Sequence, residues 1–481
     1  MKTKTHSILL FTGFAILLFG CKVPRATVTA SKLNKSVPKT FYSTDSDSMG
    51  GNIGIIPWKQ FFTDPDLTVL IDTALKNNQE LMITLQEIEI AKSNVTAAKG
   101  KLSPTVTAGG GIGLRKAGRY TSEGAGDAST EMKPGMRIPD PLPNFQVGLQ
   151  TDWEVDIWHK LRTEKESAIA HYLSTVEGKN FVLSSLIAEI ANDYYELLAL
   201  DNQLDIIQQY IQLQQQALEI SKIQKQAAAA TELAVKKFEA ELAKAKGAEY
   251  EVRQSVTEKE NEINGLLGRF PQPIVRNKTA FITMVPRTIY TGIPSELLSN
   301  RPDIKAAELE LKSVKLDVQA ARKEFYPSLN ISIMLGLEAF NPTYLMKLPE
   351  SIVSNIVGDM VGPLINKSAI QAKFKAADAR QIQALYEYDK TILNAYLCVS
   401  NLVMKIKNMG DYYRFKADQS KALDASVPIA DQLFKNSRID YLEVLMNQRD
   451  ILDAKMELLE AKEKQLAAVV DIYINLGGGW R

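Results

Sequence analysis

Ala74–Leu114 recurs without a gap at Leu297–Leu337, a fixed offset of 223 positions (297 less 74). Leu75, Asn77, Val95, Ala97, Ala98, Pro104, Gly113 and Leu114 reappear as Leu298, Asn300, Val318, Ala320, Ala321, Pro327, Gly336 and Leu337. The physical pattern persists where the letters change. Each copy is an amphipathic helical run, then a proline, then an alternation of period two. In the first copy Val106, Ala108, Gly110, Ile112 and Leu114 share one strand face; in the second Leu329, Ile331, Ile333, Leu335 and Leu337 do. The opposite faces are mostly polar or small: Thr105, Thr107, Gly109, Gly111 and Gly113, then Ser328, Asn330, Ser332, Met334 and Gly336. Such a strand has different solvents on its two sides. The chain is a duplicated helix-then-strand unit, and one side of its strands suits lipid.

The amino terminus turns this into a membrane statement. Lys2 and Lys4 precede an apolar run, Ile8–Phe19, shorter than the ~20 residues a spanning helix needs. Residues 1–20 are expected to be a signal peptide. Leu18-Phe19-Gly20-Cys21 resembles the lipobox of bacterial lipoproteins. That resemblance implies cleavage before Cys21 and a covalent lipid on it; an ordinary signal peptide with an incidental cysteine is the alternative. One lipid anchor binds a membrane reversibly, so a second membrane element is expected. Cys398 is the other cysteine and is expected to pack as a small apolar residue. The chain is 45% hydrophobic and 23% charged with net charge +1, which carries no nucleic-acid footprint. No later segment is apolar for long enough to span as a helix, so any crossing must be β-structure.

Residues 21–57 read as a lipidated, extended tether. Residues 58–267 form the first repeat, 268–294 a linker, 295–475 the second repeat and 476–481 a tail. Thr63-Asp64-Pro65 starts a helix that is expected to run to about Leu102, ahead of Pro104. Arg115–Asn144 carries glycines and prolines and reads as a long exposed loop. Further strands are expected at Phe145–Trp153 and Ile352–Val361. Lys160–Leu267 is helical in pattern with one interruption near Gln226–Thr231, so its first arm would be about 100 Å long. Asn366–Met409 and Lys416–Phe434 form the corresponding arm, with Pro428 a kink, and Tyr441–Asn475 returns. Ile187, Ile190, Tyr194, Leu197, Leu198 and Leu204 make a narrow apolar seam along the first arm.

About four strands cannot close a barrel, for which about eight is the minimum, and lipid tolerates no open edge. Identical copies must pool their hairpins; three would supply about twelve strands. The fold class expected is mainly α with a membrane β-barrel, its helical hairpins continuing as a tube. Trp153, Trp158, Phe325 and Tyr326 fall where strand meets helix, as an interfacial aromatic belt would; packing at an element junction accounts for them equally well.

Four segments carry a family resemblance: Leu149-Gln-Thr-Asp-Trp-Glu-Val-Asp-Ile-Trp158, Leu298-Ser-Asn-Arg-Pro-Asp-Ile-Lys-Ala-Ala-Glu308, Ala321-Arg-Lys-Glu-Phe-Tyr-Pro-Ser-Leu329 and Leu476-Gly-Gly-Gly-Trp480. From about Trp58 onward the chain resembles the TolC-family outer-membrane efflux proteins, in particular their lipoprotein branch. The resemblance implies a homotrimer, a shared twelve-stranded barrel in the outer membrane and a periplasmic α-barrel. It also implies docking to a periplasmic adaptor and a proton-driven inner-membrane pump. Relatives have a glycine in each hairpin-tip turn; here the positions are Ala228 and, beside Arg438, Ser437. Relatives close the tip with carboxylate rings; the matching residues are Glu443 and Met446, of which one is acidic. An acidic ring favours cations and an apolar one gates by dewetting. A solvated helix face for Glu443 and a packing role for Met446 stand as alternatives.

Catalytic signals are missing. Three histidines, His6, His159 and His171, have no ligand spacing for a metal. Gly109-Gly-Gly-Ile-Gly113 lies inside a strand pattern and lacks the Lys-Ser/Thr of a phosphate loop. No enzyme activity and no cofactor beyond the Cys21 lipid are expected. An exit duct for small toxic solutes is the favoured function. A duct for type I-like protein or peptide secretion is the alternative, and a non-conducting coiled-coil spacer lipoprotein ranks third.

Overall fold

The computed structural model describes residues 24–27, 37–41, 51–362, 367–435 and 438–481. Cys21 and Ser437 lie outside them, as does the signal segment. Each repeat follows one plan. The first has α1 (Pro65–Asn77), α2 (Gln79–Gly100), β1 (Thr105–Arg115), β2 (Leu142–Val155), α3 (Lys160–Gln226) and α4 (Glu232–Leu266). The second has a one-turn helix (Leu297–Asn300), α5 (Pro302–Lys323), β3 (Ser328–Ala339), β4 (Ile352–Val361), α6 (Ser368–Lys435) and α7 (Tyr441–Asn475).

Asp64 caps α1 by accepting from the amides of Asp66 and Leu67, with Pro65 at the first helical position. The helix expected to run on to Leu102 instead breaks at Asn78, whose backbone is extended. Asn78 Oδ1 accepts from Leu81 N (2.9 Å), so the break restarts the helix with its own cap. The gap expected between Met409 and Lys416 does not form. α6 runs unbroken through Gly410 and through Pro428. The stretch expected to be a plain loop carries a short helix, Ser122–Ser129, and a hairpin of Glu131–Lys133 with Met136–Arg137. The linker is packed: Phe281 is fully buried, and Arg276 pairs with Asp201 and Glu260. In the tether, Phe41 is buried and stacks on Tyr396 (5.7 Å).

Two compact units are present. One gathers Ile90–Tyr172 and Leu309–Leu385 and contains a four-stranded antiparallel sheet in the order β1-β2-β3-β4. The register aligns Ala108 with Leu149, Leu149 with Leu335 and Leu335 with Ser354, so even-numbered residues of β1 and β4 share a face with odd-numbered residues of β2 and β3. Beside the sheet, Val318, Phe325 and Phe374 form a buried cluster on which Ala26 and Ala377 pack. The other unit gathers Leu33–Glu89, Leu173–Glu308 and Tyr386–Arg481. Its core holds the seam foreseen on α3: Ile187, Ile190, Tyr194, Leu197 and Leu198 are buried, while Leu204 is half-buried. Tyr194 donates to the Asp64 carboxylate (3.0 Å), tying the seam to the α1 cap. Tyr473 stacks on Phe61 (3.8 Å between ring centres) and donates to Ile56 O; burial pushes its hydroxyl up to about 12.

The carboxyl-terminal Gly-Gly-Gly-Trp run has a steric reason. A Cβ on Gly478 would sit 2.5 Å from the Tyr473 ring, and one on Gly479 would meet Ser184. Ser184 Oγ donates to Gly478 O (2.7 Å).

Candidate functional site

The sheet has two chemically distinct faces. One is built from Val106, Ala108, Ile112 and Leu114, then Phe145, Val147 and Leu149, then Leu329 to Leu337, then Ile352, Ile356 and Met360. Ile112 is 83% exposed, Leu114 70%, Ile356 74% and Met360 65%, so this apolar face is uncovered in the single chain. The other face carries Gln146, Gln150, Asp152, Asn330, Ser332 and Asp359. Asp152 accepts from Ser332 Oγ (2.8 Å) and Gln150 Nε2 (3.1 Å). Gly109, Gly148 and Gly336 align across three strands on this face. A Cβ on Gly148 would lie 2.7 Å from Leu335 O, so the strands there approach too closely for a side chain. Among the described residues β1 and β4 each pair with one strand, leaving two open edges.

At the start of the helices the aromatic residues divide. Trp158 is 45% exposed, donates to Pro327 O (2.7 Å) and packs on Tyr326 at 5.2 Å. Trp153 is half-buried and donates to Leu102 O (3.2 Å). Phe325 follows the junction-packing alternative: it is 5% exposed and belongs to the cluster with Val318 and Phe374. Its ring packs between α5 and α6, beside Val318 and Phe374.

At the other end of the helices lie the turns. Ala228 is left-handed (φ 57°). Ala228 N donates to Lys225 O and Ala229 N to Gln224 O, the two bonds of a helix stop that glycine usually occupies. Lys225 and Glu232 pair across the turn, and the lysine holds the Glu232 carboxyl below its ordinary range. In the second turn Arg438 N donates to Leu433 O (2.9 Å), the counterpart of the Ala229–Gln224 bond. Glu443 and Met446 share one exposed face of α7. Tyr441 and Leu445, on the opposite face, pack against Leu218, Val235 and Phe238.

Sequence reasoning missed the joints that hold each repeat closed. Asn78 Nδ2 donates to Leu266 O (2.9 Å), and Arg301 Nη1 donates to Asn475 O (2.8 Å). Arg301 also grips Asp303 with two bonds, which accounts physically for the Arg-Pro-Asp block. A third omission is the half-buried Lys259 ammonium, which meets Asp193, Glu196 and Glu262. Among the described residues no group of three metal-ligating side chains occurs.

Comparison with known proteins agrees with this architecture. Residues 70–269 and 293–478 match the family model for outer membrane efflux proteins. The pyoverdine export outer membrane protein OpmQ of Pseudomonas putida is 25% identical over 424 residues, 88% of each chain. The cation efflux system protein CusC of Escherichia coli is 23% identical over 434 residues, again 88% of each. A membrane protein of Pseudomonas aeruginosa has the same fold at a TM-score of 0.83 and 21% identity, over 95% of this chain and 99% of that one. With the sheet, the paired helical hairpins and four-fifths of its length in agreement, the chain belongs to the outer membrane efflux protein family.

Proposed function

We propose that three copies of this chain pair β1 of one with β4 of the next, closing a barrel of about twelve strands. The shared bore is then a passive exit duct for small toxic solutes, loaded by a periplasmic adaptor and a proton-driven inner-membrane pump. The observation that carries this is the sheet: an apolar face, a polar face and two open edges in one chain. Hydrocarbon tolerates the apolar face but not the edges, and a second copy supplies what each edge lacks. No catalytic step is assigned; the energy for export comes from the partners. The barrel supplies the second membrane element beside the lipid on Cys21, and that lipid is read by mass spectrometry of the mature protein.

The relatives named above carry different cargoes, pyoverdine and cations, on the same duct architecture. Cargo is therefore assigned to the pump. Detergent-extracted protein is expected to run as a trimer and to give discrete conductance steps in planar bilayers; a strict monomer without conductance overturns the reading. A deletion strain that becomes sensitive to drugs or metals supports efflux, whereas loss of a secreted protein from the medium supports the secretion duct. Glu443→Ala is expected to reduce the preference for cations; unchanged ion selectivity removes Glu443 from the constriction.

A further inference from the structure

At the end of the sheet away from the helices, two loops meet over one tyrosine. β3 ends at Ala339 and β4 begins at Ile352. Between them Asn341 Oδ1 accepts from Thr343 N (3.0 Å), and Pro342 opens a one-turn helix, Pro342–Leu345, that presents Tyr344. Lys347 N donates to Tyr344 O (3.0 Å), a turn that carries the Lys347 ammonium back over the Tyr344 ring, 5.0 Å from its centre. The first loop reaches the same ring. Its short hairpin sets Lys133 opposite Met136. The Lys133 ammonium lies 5.4 Å from the ring centre, and the Tyr344 hydroxyl donates to Met136 Sδ (3.8 Å). Phe340 stands edge-on to the tyrosine at 5.4 Å.

These residues wall a cleft of about 470 Å³. Two ammonium groups share one ring there, and neither forms an ion pair among the described residues. Ser351 lines the cleft and is 4% exposed, yet its Oγ is buried with no hydrogen-bond partner. Glu338 and Glu350 line it too. Like charges on one ring repel, and an unmade buried hydrogen bond costs stability, so an anionic ligand with hydroxyls relieves both. Lysine meets phosphate as a point charge on a flexible stem, so both ammonium groups can leave the ring for a phosphate and open its face. An aromatic face flanked by carboxylates suits a sugar ring, whose hydroxyls donate to the carboxylates. We propose that this cleft binds a phosphorylated saccharide. On the duct reading it lies at the outer rim of the barrel, among the phosphate-bearing sugars of lipopolysaccharide; a soluble sugar phosphate offers the same groups. Only the source rests on that reading.

Calorimetric titration of the full-length protein with glucosamine 1-phosphate, in a sugar-free detergent, tests it. Saturable binding is expected, about tenfold tighter than that of glucosamine or of inorganic phosphate alone. The double variant Lys133→Gln with Lys347→Gln is expected to weaken it about tenfold, with circular dichroism and oligomeric state as in wild type. Tyr344→Ala keeps both lysines and is expected to lose the advantage over inorganic phosphate. No binding by wild type, or equal binding by wild type and the folded double variant, overturns the site. Wild type that takes inorganic phosphate as tightly as the sugar phosphate overturns the saccharide. Native mass spectrometry separates the sources. Lipid A retained by wild type and lost from the double variant identifies lipopolysaccharide; a positive titration without retained lipid A identifies a soluble sugar phosphate. Wild-type protein that gives no conductance in planar bilayers overturns the duct reading instead, and leaves the titration standing.

Discussion

The two repeats solve one mechanical problem with different residues. Asn78 and Arg301 stand 223 positions apart, each at the break between a short helix and a longer one. Each reaches the last helical turn of its own repeat, at Leu266 O and Asn475 O. Opposite them, Gly268 (φ 65°) and Gly477 (φ 97°) end α4 and α7 in equivalent turns. A Cβ on Gly268 would lie 2.4 Å from Asn77 O, and one on Gly477 would lie 2.7 Å from Asn300 O. What is repeated is the contact geometry: a donor that reaches a helix-end carbonyl, and a glycine that lets the backbones touch. The donor itself is free to change. Other positions diverge further. Arg253 of α4 is exposed and paired with Glu249, whereas its counterpart Lys462 in α7 is buried, with Met284 O and the Tyr413 ring as neighbours.

The largest expected effect tests the glycines. Gly477→Ala and Gly268→Ala combine a left-handed backbone with a clash against backbone atoms, and each should cost about 3 kcal/mol or more. Thermal unfolding in detergent reads this, and a harmless Gly268→Ala breaks the equivalence. Next come the donors. Arg301→Ala leaves the half-buried Asp303 carboxylate and Asn475 carbonyl without their partner and should cost about 2–3 kcal/mol. Asn78→Ala loses one cap and one carbonyl contact, about 1–2 kcal/mol. Equal losses in denaturant titrations would show that the Asp303 grip adds nothing. A smaller effect of opposite sign belongs to the first tip turn: Ala228→Gly relieves the left-handed alanine and should gain about 1 kcal/mol.

The smallest is a pH dependence. Burial, then the neighbouring Glu196, raises the Glu463 carboxyl above its ordinary range. A raised folded value means that its stabilisation is complete below the unfolded value and is lost as pH rises through the folded one. Gln254 occupies the equivalent place in α4. Glu463→Gln should therefore raise the unfolding temperature near neutrality, with the advantage shrinking on acidification toward the ordinary carboxyl range. An advantage that stays constant with pH would assign the effect to packing.

Much of the architecture was legible because it is periodic. Period two placed Val106 to Leu114 and Leu329 to Leu337 on one face, and the ladder brings those faces together. The long helices and the interruption after Gln226 were legible for the same reason. The break at Asn78 was hidden, since Lys76-Asn77-Asn78-Gln79 holds no proline or glycine and its partner, Leu266, is 188 residues away. In the second repeat Pro302 marks the same boundary openly. Gly410 misled in the other direction, since α6 runs on through it to Lys435 and carries Pro428 within the same helix. Glu443 and Met446 were singled out by the family resemblance alone, and the packing of Tyr441 and Leu445 opposite them accounts for their exposure.

By itself the sequence determined the duplication, the two-faced strands and the great length of the helices, since each is a local repeat with a period that one chain segment can encode. Only the tertiary structure decided which polar groups meet across hundreds of residues: Asn78 with Leu266, Arg301 with Asn475, Gln214 with Gln448. Periodicity says which face is buried; it does not say which donor finds which acceptor, because that depends on the geometry of both helices at once.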